Sequence, residues 1–477
     1  MRTVRWITSL LVIGSVAGAG IAGRSDPEEL QPTFAFLGAP TMPFVPQGSF
    51  ITSSWFCPGV PAGGDDLGGS VILTNPTDTA IDGRLTVYTD APDTAPASQP
   101  VTVAARTTTT VDLRTLQSSG TFLSALVEID GGGGFVEQLA LHPAGNAVSP
   151  CANASSSNWY FAQGFTMEGS TEQLVVTNPY PDAAIVDLAL ATQQGIRNPG
   201  KLSGVVVPGQ SIQVLDLVEF ARDEPVLAAA VEATRGRVVV ARSQHFVGGG
   251  RLGYSMALGA PALSSQYYFA EGEEGSNITE KYSVYNGSEQ DVTVDVVFLG
   301  VPVAADFLND TQLEVRSGEV VELSTADVAN LPDGRHGAVF STFAAESIVV
   351  ERTLTRPAGQ SIATTVVLGS PPGLASQRWS SSVGTDVSVE NVIVVLNVDA
   401  VETTLAVSTL GPGGFVPVPG LEAVPLAPGG VTAIGIEDPS ALGKPFIVES
   451  AQRLFVERLL PRGEDLRGRS ASFLLAG

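Results

Sequence analysis

One short pattern returns four times along this chain, and that repetition limits its possible folds more than any single motif does. The clearest copy is Trp159-Tyr160-Phe161-Ala162-Gln163-Gly164, followed by the apolar run Leu174-Val175-Val176 and the turn Thr177-Asn178-Pro179. Other copies begin at Trp55, Tyr267 and Trp379. An asparagine marks the same place in each: Asn75, Asn178, Asn286 and Asn397, just over a hundred residues apart each time. A period that long means tandem domains rather than a solenoid of short units.

The stretch after each asparagine alternates. Gly83, Leu85 and Val87 face one way with Arg84 and Thr86 between them, and Val186, Leu188 and Leu190 do the same around Asp187 and Ala189. Val294, Val296 and Phe298, then Leu405 and Val407, continue the column. Period two is the signature of a half-buried strand, since a helix places its apolar positions three and four apart. Seven or eight short strands per unit, separated by Pro-Gly and Asn-Pro turns, predict an all-β chain of four tandem immunoglobulin-like β-sandwiches. A β-propeller, with each unit halved into two four-stranded blades and a strand shared between the chain ends, is the alternative. Short helical turns are expected near Leu217–Arg222 and Thr325–Asn330. The predicted division is 1–23 leader, 24–54 linker with one strand at Thr33–Leu37, and modules at 55–158, 159–266, 267–378 and 379–477. Leu37-Gly38-Ala39-Pro40 recurs as Leu258-Gly259-Ala260-Pro261 and Leu368-Gly369-Ser370-Pro371. The closing strand of a module therefore has an extra copy before the first one.

Length and charge bound the function. The 477 residues carry a formal net charge of −24, which repels nucleic acid and anionic lipid and argues against both as partners. Arg2 and Arg5 precede an uncharged run from Trp6 to Ala22, with Ala17-Gly18-Ala19 as a cleavage pattern and Asp26, Glu28 and Glu29 beyond. This reads as a signal peptide or a retained anchor, with the body outside the cytoplasm, secreted or tethered. The membrane is a partner only through that segment.

The chain has 2 cysteines, Cys57 and Cys151. In an oxidising compartment they are expected to form a disulfide joining the two ends of module one; two buried thiols are the alternative. No histidine or third cysteine lies nearby for metal binding.

Catalytic signals are scarce. The 3 histidines, His142, His245 and His336, form no metal spacing, and no G-x-S-x-G elbow or phosphate loop occurs. No cofactor, metal or catalytic residue is assigned. Glu137, Glu351 and Glu457 hold matching positions, followed by Gln138, Arg352 and Arg458, while module two has Ala241-Arg242. Neighbours on a strand point to opposite faces, so these residues are read as ion pairs or hydrogen bonds to adjoining strands or modules. Asp65-Asp66 and Glu271-Gly272-Glu273-Glu274 are read as solvated acidic loops, with calcium ligation as the alternative. The aromatics Trp55, Trp159, Tyr268 and Trp379 either stack on sugar rings or pack within and between modules; their place beside apolar runs favours packing.

The WYFAQG and YYFAEG openings, the asparagine turn, the Val-Pro-Gly turn and the Val-Glu-Arg strand together resemble a family of exported, repeat-containing actinobacterial proteins of unknown function. The resemblance covers most of residues 50–477 and is strongest in modules two and three. Module four departs from it, with Trp379-Ser380-Ser381-Ser382 and with Val398 where proline would stand. The resemblance implies location and architecture and carries over no catalytic residue. The expected function is a non-enzymatic envelope scaffold that binds envelope proteins. A carbohydrate-binding array on wall glycan and a hydrolase hidden in one module are the alternatives.

Overall fold

The computed structural model describes residues 42–46, 52–301, 311–463 and 468–477, with backbone only at 389–391. The leader, most of the linker and the strand expected at Thr33–Leu37 lie outside these residues. Everything described is β apart from turns and short 3-10 segments, two of which, Leu217–Glu219 and Thr325–Asp327, fall where helical turns are expected. No described helix is long and apolar enough to cross a membrane.

The strands come in four sets. In the first, Thr52–Pro61, Phe122–Asp130, Ile81–Thr89 and Ala97–Val103 make one antiparallel sheet, here called the opening sheet. Thr107–Asp112, Gly68–Asn75, Phe135–Leu141 and Ala147–Pro150 make the other, the closing sheet. Leu85, Val87 and Val127 of the first share one apolar cluster with Val71, Leu73 and Val136 of the second, as the alternation requires. The second and third sets repeat both sheets, at Asn158–Leu258 and Gln266–Leu368. The fourth set differs. Its strand Phe446–Pro461 runs on without a break, pairing with Thr403–Gly411 and Ser376–Ser381 early and with Val389–Asn397 later, so its two halves join into one nine-stranded sheet.

The repeating asparagine ties the two sheets of each set. Its buried Nδ2 donates to the carbonyl four residues on, Thr79, Asp182, Gln290 or Val401, at 2.7–2.8 Å. It also reaches a second carbonyl, Val103, Val207, Val315 or Ala427, at 3.0–3.1 Å. Its Oδ1 accepts the N–H two residues on, from Thr77, Tyr180, Ser288 or Asp399. Only an amide both donates and accepts in this way, which accounts for the recurrence of asparagine.

The closing strand of each set folds back onto its own opening strand. Ala152 bridges Phe56, Ala260 bridges Tyr160, Ser370 bridges Tyr268, and Leu475 pairs with Ser380. Among the described residues no closing strand is lent to a neighbouring set. The Leu-Gly motif acquires a reason here. A Cβ at Gly259 would lie 2.7 Å from Phe161 Cζ, and one at Gly369 would lie 2.7 Å from Phe269 Cζ. Glycine at these positions leaves room for the phenylalanine ring of the opening strand.

The sets meet in cyclic order. The opening sheet of the first packs on the closing sheet of the second through Tyr88, Phe122, Val175 and Ile212. Ala162 and Ala228 of the second join the core of the third, and Tyr268 and Val339 of the third join the core of the fourth. Leu139 and Val148 of the first pack into the fourth, which closes the cycle. The chain ends reinforce that last seam: Val45 N–H donates to the Ala476 carbonyl at 2.6 Å, with Phe44 and Ala476 in a parallel bridge. A head-to-tail interface repeated with the right rotation makes a ring instead of an open row. The four closing strands contact one another in turn around the centre. Arg462 lies among them, 2 % exposed. Its guanidinium donates to the Tyr254 and Thr364 carbonyls, and its own carbonyl accepts Asn146 N–H at 2.7 Å. One residue thus joins four sets, and burial away from any carboxylate lowers the pKa of its guanidinium to about 10.

Candidate functional site

The recurring charged residues meet at the seams between sets. Three of the four seams are built the same way. On the Glu-Arg strand the two side chains leave opposite faces, so glutamate reaches back to the preceding set and arginine reaches forward. Between the second and third sets, Arg242 clasps Glu351 with both terminal nitrogens, at 2.9 and 2.8 Å. The same carboxylate accepts the N–H groups of Ala162 and Gln163 at 2.8 and 2.7 Å. Between the third and fourth, Arg352 holds Glu457 at 2.8 Å, and Ala270 and Glu271 donate their N–H groups to Glu457 at 2.8 and 3.0 Å. Between the fourth and first, Arg458 holds Glu137 at 2.6 and 2.9 Å, with Ser382 N–H at 2.6 Å. All six side chains are at most 1 % exposed. Arg242 and Arg352 also lie over the Phe161 and Phe269 rings, at 5.5 and 5.7 Å from the centroids. The opening aromatic stretch therefore supplies both the N–H groups and the ring face that hold the ion pair.

The seam between the first and second sets lacks all three parts. Gln138 stands for arginine and Ala241 for glutamate. Pro58, which has no N–H, stands where Ala162 and Ala270 donate theirs. Gln138 turns instead to the Pro58 carbonyl at 3.4 Å. These three exchanges agree with one another, since a lone charge or lone donor buried here would be costly.

The third-to-fourth seam is the richest. Glu271 is fully buried and pairs with Arg352 at 2.9 Å, Arg335 at 3.1 Å and Arg356. Burial alone would raise its pKa, but Arg356, Arg352 and Arg335 outweigh that and bring it to about 2. The solvated loop expected at Glu271–Glu274 is therefore corrected at Glu271 and Glu273, whose carboxylates are taken up by arginine. Behind them Glu280 accepts from Tyr282 Oη at 2.9 Å and lies 2.8 Å from His336 Nε2, a pairing that the spacing of three isolated histidines gave no means to foresee. Burial raises the pKa of Glu457 despite Arg352.

His142 and His245 do come together. Their rings meet edge to face with centroids 4.8 Å apart, and His142 stacks on Tyr254 at 4.2 Å. With Asp65 and Asp66 they line an open depression of about 590 Å³. His142 Nδ1 accepts Ala144 N–H at 3.0 Å, which places the proton of the neutral ring on Nε2. Burial, and then His245, lower the His142 pKa to about 4. Among the described residues no three His, Cys, Asp or Glu side chains are arranged to hold a metal ion.

Trp55, Trp159 and Trp379 are at most 1 % exposed and Tyr268 is 7 % exposed. Trp159 Nε1 donates to the Val238 carbonyl at 2.9 Å and Trp379 Nε1 to the Leu454 carbonyl at 3.0 Å. Tyr268 stacks on Phe455 across a seam at 4.6 Å. Rings so enclosed offer no open face to a sugar. Cys57 and Cys151 are joined, with Cα atoms 4.4 Å apart. Their positions in the first set match those of Phe161 with Gly259 and Phe269 with Gly369. The disulfide thus takes the place of a ring-on-glycine contact.

Comparison with known proteins adds one family. A model described as a family of unknown function, DUF5719, matches residues 137–372, from Glu137 through the third set. No curated protein matches the chain. Among solved structures, Thermotoga maritima 1070 is 9% identical, with 23% of this chain and 94% of that one covered at a TM-score of 0.20. A biofilm-associated protein BSP domain is 8% identical, with 91% and 97% covered at a TM-score of 0.14. An α-L-rhamnosidase from Streptomyces avermitilis is 8% identical, with 83% and 55% covered at a TM-score of 0.12. Scores this low establish no common fold.

Proposed function

We propose that this protein is a non-enzymatic scaffold of the cell envelope, a closed ring of four immunoglobulin-like β-sandwiches that presents its outer loops to other envelope proteins. One observation carries this reading. The charged groups that recur from set to set are buried between sets and satisfied by one another, so the repetition serves assembly. A surface of high negative charge with many short loops suits reversible protein contacts and keeps such rings apart in solution. The disulfide supports an extracytoplasmic location, since such bonds persist in oxidising compartments.

Crosslinking at the intact cell surface tests the reading. Recovery of a small set of envelope proteins is expected. Turnover of wall glycan or of ester substrates by the purified protein would overturn it. Retention on purified wall polymer in the absence of protein would favour the glycan-binding alternative.

A further inference from the structure

The two histidines that meet do so across the seam between the first and second sets, the one built without a buried ion pair. His142 follows strand Phe135–Leu141 of the first set, and His245 lies on strand Val239–Gly248 of the second. The 4.8 Å contact between their rings therefore runs from set to set. Tyr254, stacked on His142, also belongs to the second set, where it pairs with His245. Tyr254 and Met256 pack with Ala144 in the core of the first set, so the ring contact closes this end of the seam. His336 contrasts with the pair: it sits beside Glu280 inside a single set.

Several groups face the pair. Thr171 flanks His245 on the strand opposite Tyr254. Arg462 lies against Gly145 and Gly253, close in the chain to His142 and Tyr254. Asp65 and Asp66 line the same depression, on a loop that Arg114 fixes through the Gly64 and Leu67 carbonyls at 2.6 and 2.8 Å. Exposed Glu168 is carried on the loop that meets Gly248. Burial prevails over these carboxylates. It lowers the pKa of both histidines, and His245 lowers that of His142 further, to about 4. A proton on each ring would set two cations 4.8 Å apart, with the Arg462 guanidinium near by. The rest of this seam offers the apolar contact of Tyr88, Phe122, Val175 and Ile212 and no guanidinium–carboxylate pair at the matching positions.

We propose that His142 and His245 are an acid-sensitive catch: protonation of the pair opens the seam between the first and second sets, and the closed ring becomes an open one whose freed faces stay tethered by residues 151–157. The Arg242–Glu351 and Arg458–Glu137 seams keep the sets in order while the apolar face around Tyr88 and Val175 is bared. The sign follows from linkage. A histidine that binds its proton less tightly in the closed seam than in the open one favours closure at high pH. Closure is fully favoured above the ordinary value of 6.5 and is lost as pH falls towards about 4. For His142 alone this is about a twentyfold rise in the opening constant from pH 7 to pH 5.

The test reads opening in the full chain from the accessibility of a buried thiol. Val175→Cys reports the first-to-second seam and Ser283→Cys the second-to-third, since Val175 stands opposite Ala241 as Ser283 stands opposite Glu351. Labelling by 4,4′-dithiodipyridine, divided by that of an unfolded peptide of the same sequence at each pH, gives the opening constant. It is expected to rise about twentyfold from pH 7 to pH 5 at Val175→Cys, and by less than about threefold at Ser283→Cys. His142→Phe with His245→Phe keeps the rings and removes the protons, so the rise at Val175→Cys should fall below about threefold. Should that variant fail to fold, His142→Phe alone serves, with a rise smaller than the parent's. Burial raises the pKa of Glu457 as well, so acid also reaches the third-to-fourth seam. The histidine variants leave Glu457 in place, and a response that began there would persist in them. No rise in the parent, an equal rise at Ser283→Cys, or an undiminished rise without the histidines overturns the proposal.

Discussion

The two seams at opposite sides of the ring are held in opposite ways. Between the third and fourth sets, one buried arginine, Arg352, touches Glu457 and Glu271, and three further charged groups surround them. Between the first and second, the matching positions are Gln138, Ala241 and Pro58, and the contact is made by Tyr88, Phe122, Val175 and Ile212. The Ser124 and Thr177 hydroxyls, 2.7 Å apart, add a polar link, and Tyr88 Oη donates to the Pro179 carbonyl at 3.5 Å. Sets join at both seams, so charge is not required to join two of them. What the ion pairs add is selectivity. A carboxylate that must find both a guanidinium and two N–H groups accepts one neighbour in one register, whereas an apolar face tolerates small slips. The neutral seam is also the one beside the disulfide, since Cys57 directly precedes Pro58. There a covalent bond fixes the strand that elsewhere is fixed by a ring and an ion pair.

That contrast can be broken in order of expected effect. Reduction of Cys57–Cys151 should cost about 4–5 kcal/mol for a closed loop of nearly a hundred residues in the chain-entropy model. Chemical denaturation of the first set, followed by Trp55 fluorescence, measures it. Replacing both cysteines with the pair found in the neighbouring sets, Cys57→Phe with Cys151→Gly, should recover more stability than alanine at both. Equal loss in the two double variants would show that the ring-on-glycine contact does not transfer.

Removing the charge from the rich seam comes next. Arg352→Met leaves Glu457 and Glu271 buried beside a missing cation and should cost about 3–5 kcal/mol. Gln138→Met at the neutral seam should cost less than about 1 kcal/mol. Thermal unfolding of both variants tests the difference, and similar shifts would erase the distinction drawn between the seams. Building an ion pair into the neutral seam is the sharper experiment. Ala241→Glu alone should destabilise, because it buries a carboxylate against Pro58 and Gln138. Adding Gln138→Arg should return about 1–3 kcal/mol of that as a coupling energy in a double-mutant cycle. Full recovery is not expected, because Pro58 has no N–H to give.

Much of this was legible in the sequence. The alternation after Asn178 and Asn286 is that of strands, and both stretches are strands, Ala184–Thr192 and Val292–Leu299. The adjacency of Glu351 and Arg352 on one strand shows that they face apart, and they do, towards Arg242 and Glu457. Ring closure entered the sequence reading only through the propeller alternative, because it depends on a rotation accumulated over four interfaces that no residue encodes alone. Arg462 was missed for a related reason. It occurs once, so repetition gave no signal, and its partners are backbone carbonyls, which every residue has. Pro58 was readable in principle: a proline where the other sets place a donor, together with Gln138 and Ala241, marks the exceptional seam. The burial of Glu271 was hidden because Gly272, Glu273 and Glu274 around it look like a surface loop.

The smallest expected effect separates the second set from the third. Glu172 and Glu280 hold the same place, six residues before their asparagines. Glu280 has Tyr282 and His336 beside it, but in the second set Leu174 and Leu227 occupy those positions. Among the described residues Glu172 keeps only the Phe165 N–H as a hydrogen-bond donor, at 2.8 Å, and its Oε1 accepts none. Its place is crowded as well, because a Cβ on Gly164 would fall 2.2 Å from that oxygen. Burial raises its pKa to about 8, against the opposing pull of Arg242 and the Phe165 N–H. A carboxyl raised on folding binds its proton more tightly in the native state. Stability is then greatest below the unfolded value near 4.5 and falls as pH rises towards about 8. Glu172→Gln removes the ionisation and preserves the acceptor for Phe165 N–H. Its advantage over the parent should be small at pH 5 and grow by on the order of 1 kcal/mol per pH unit across the window. Denaturation midpoints at pH 5, 7 and 9 measure that slope; parallel profiles for variant and parent would mean that Glu172 is ionised in the native ring, with Arg242 sharing its charge between Glu172 and Glu351.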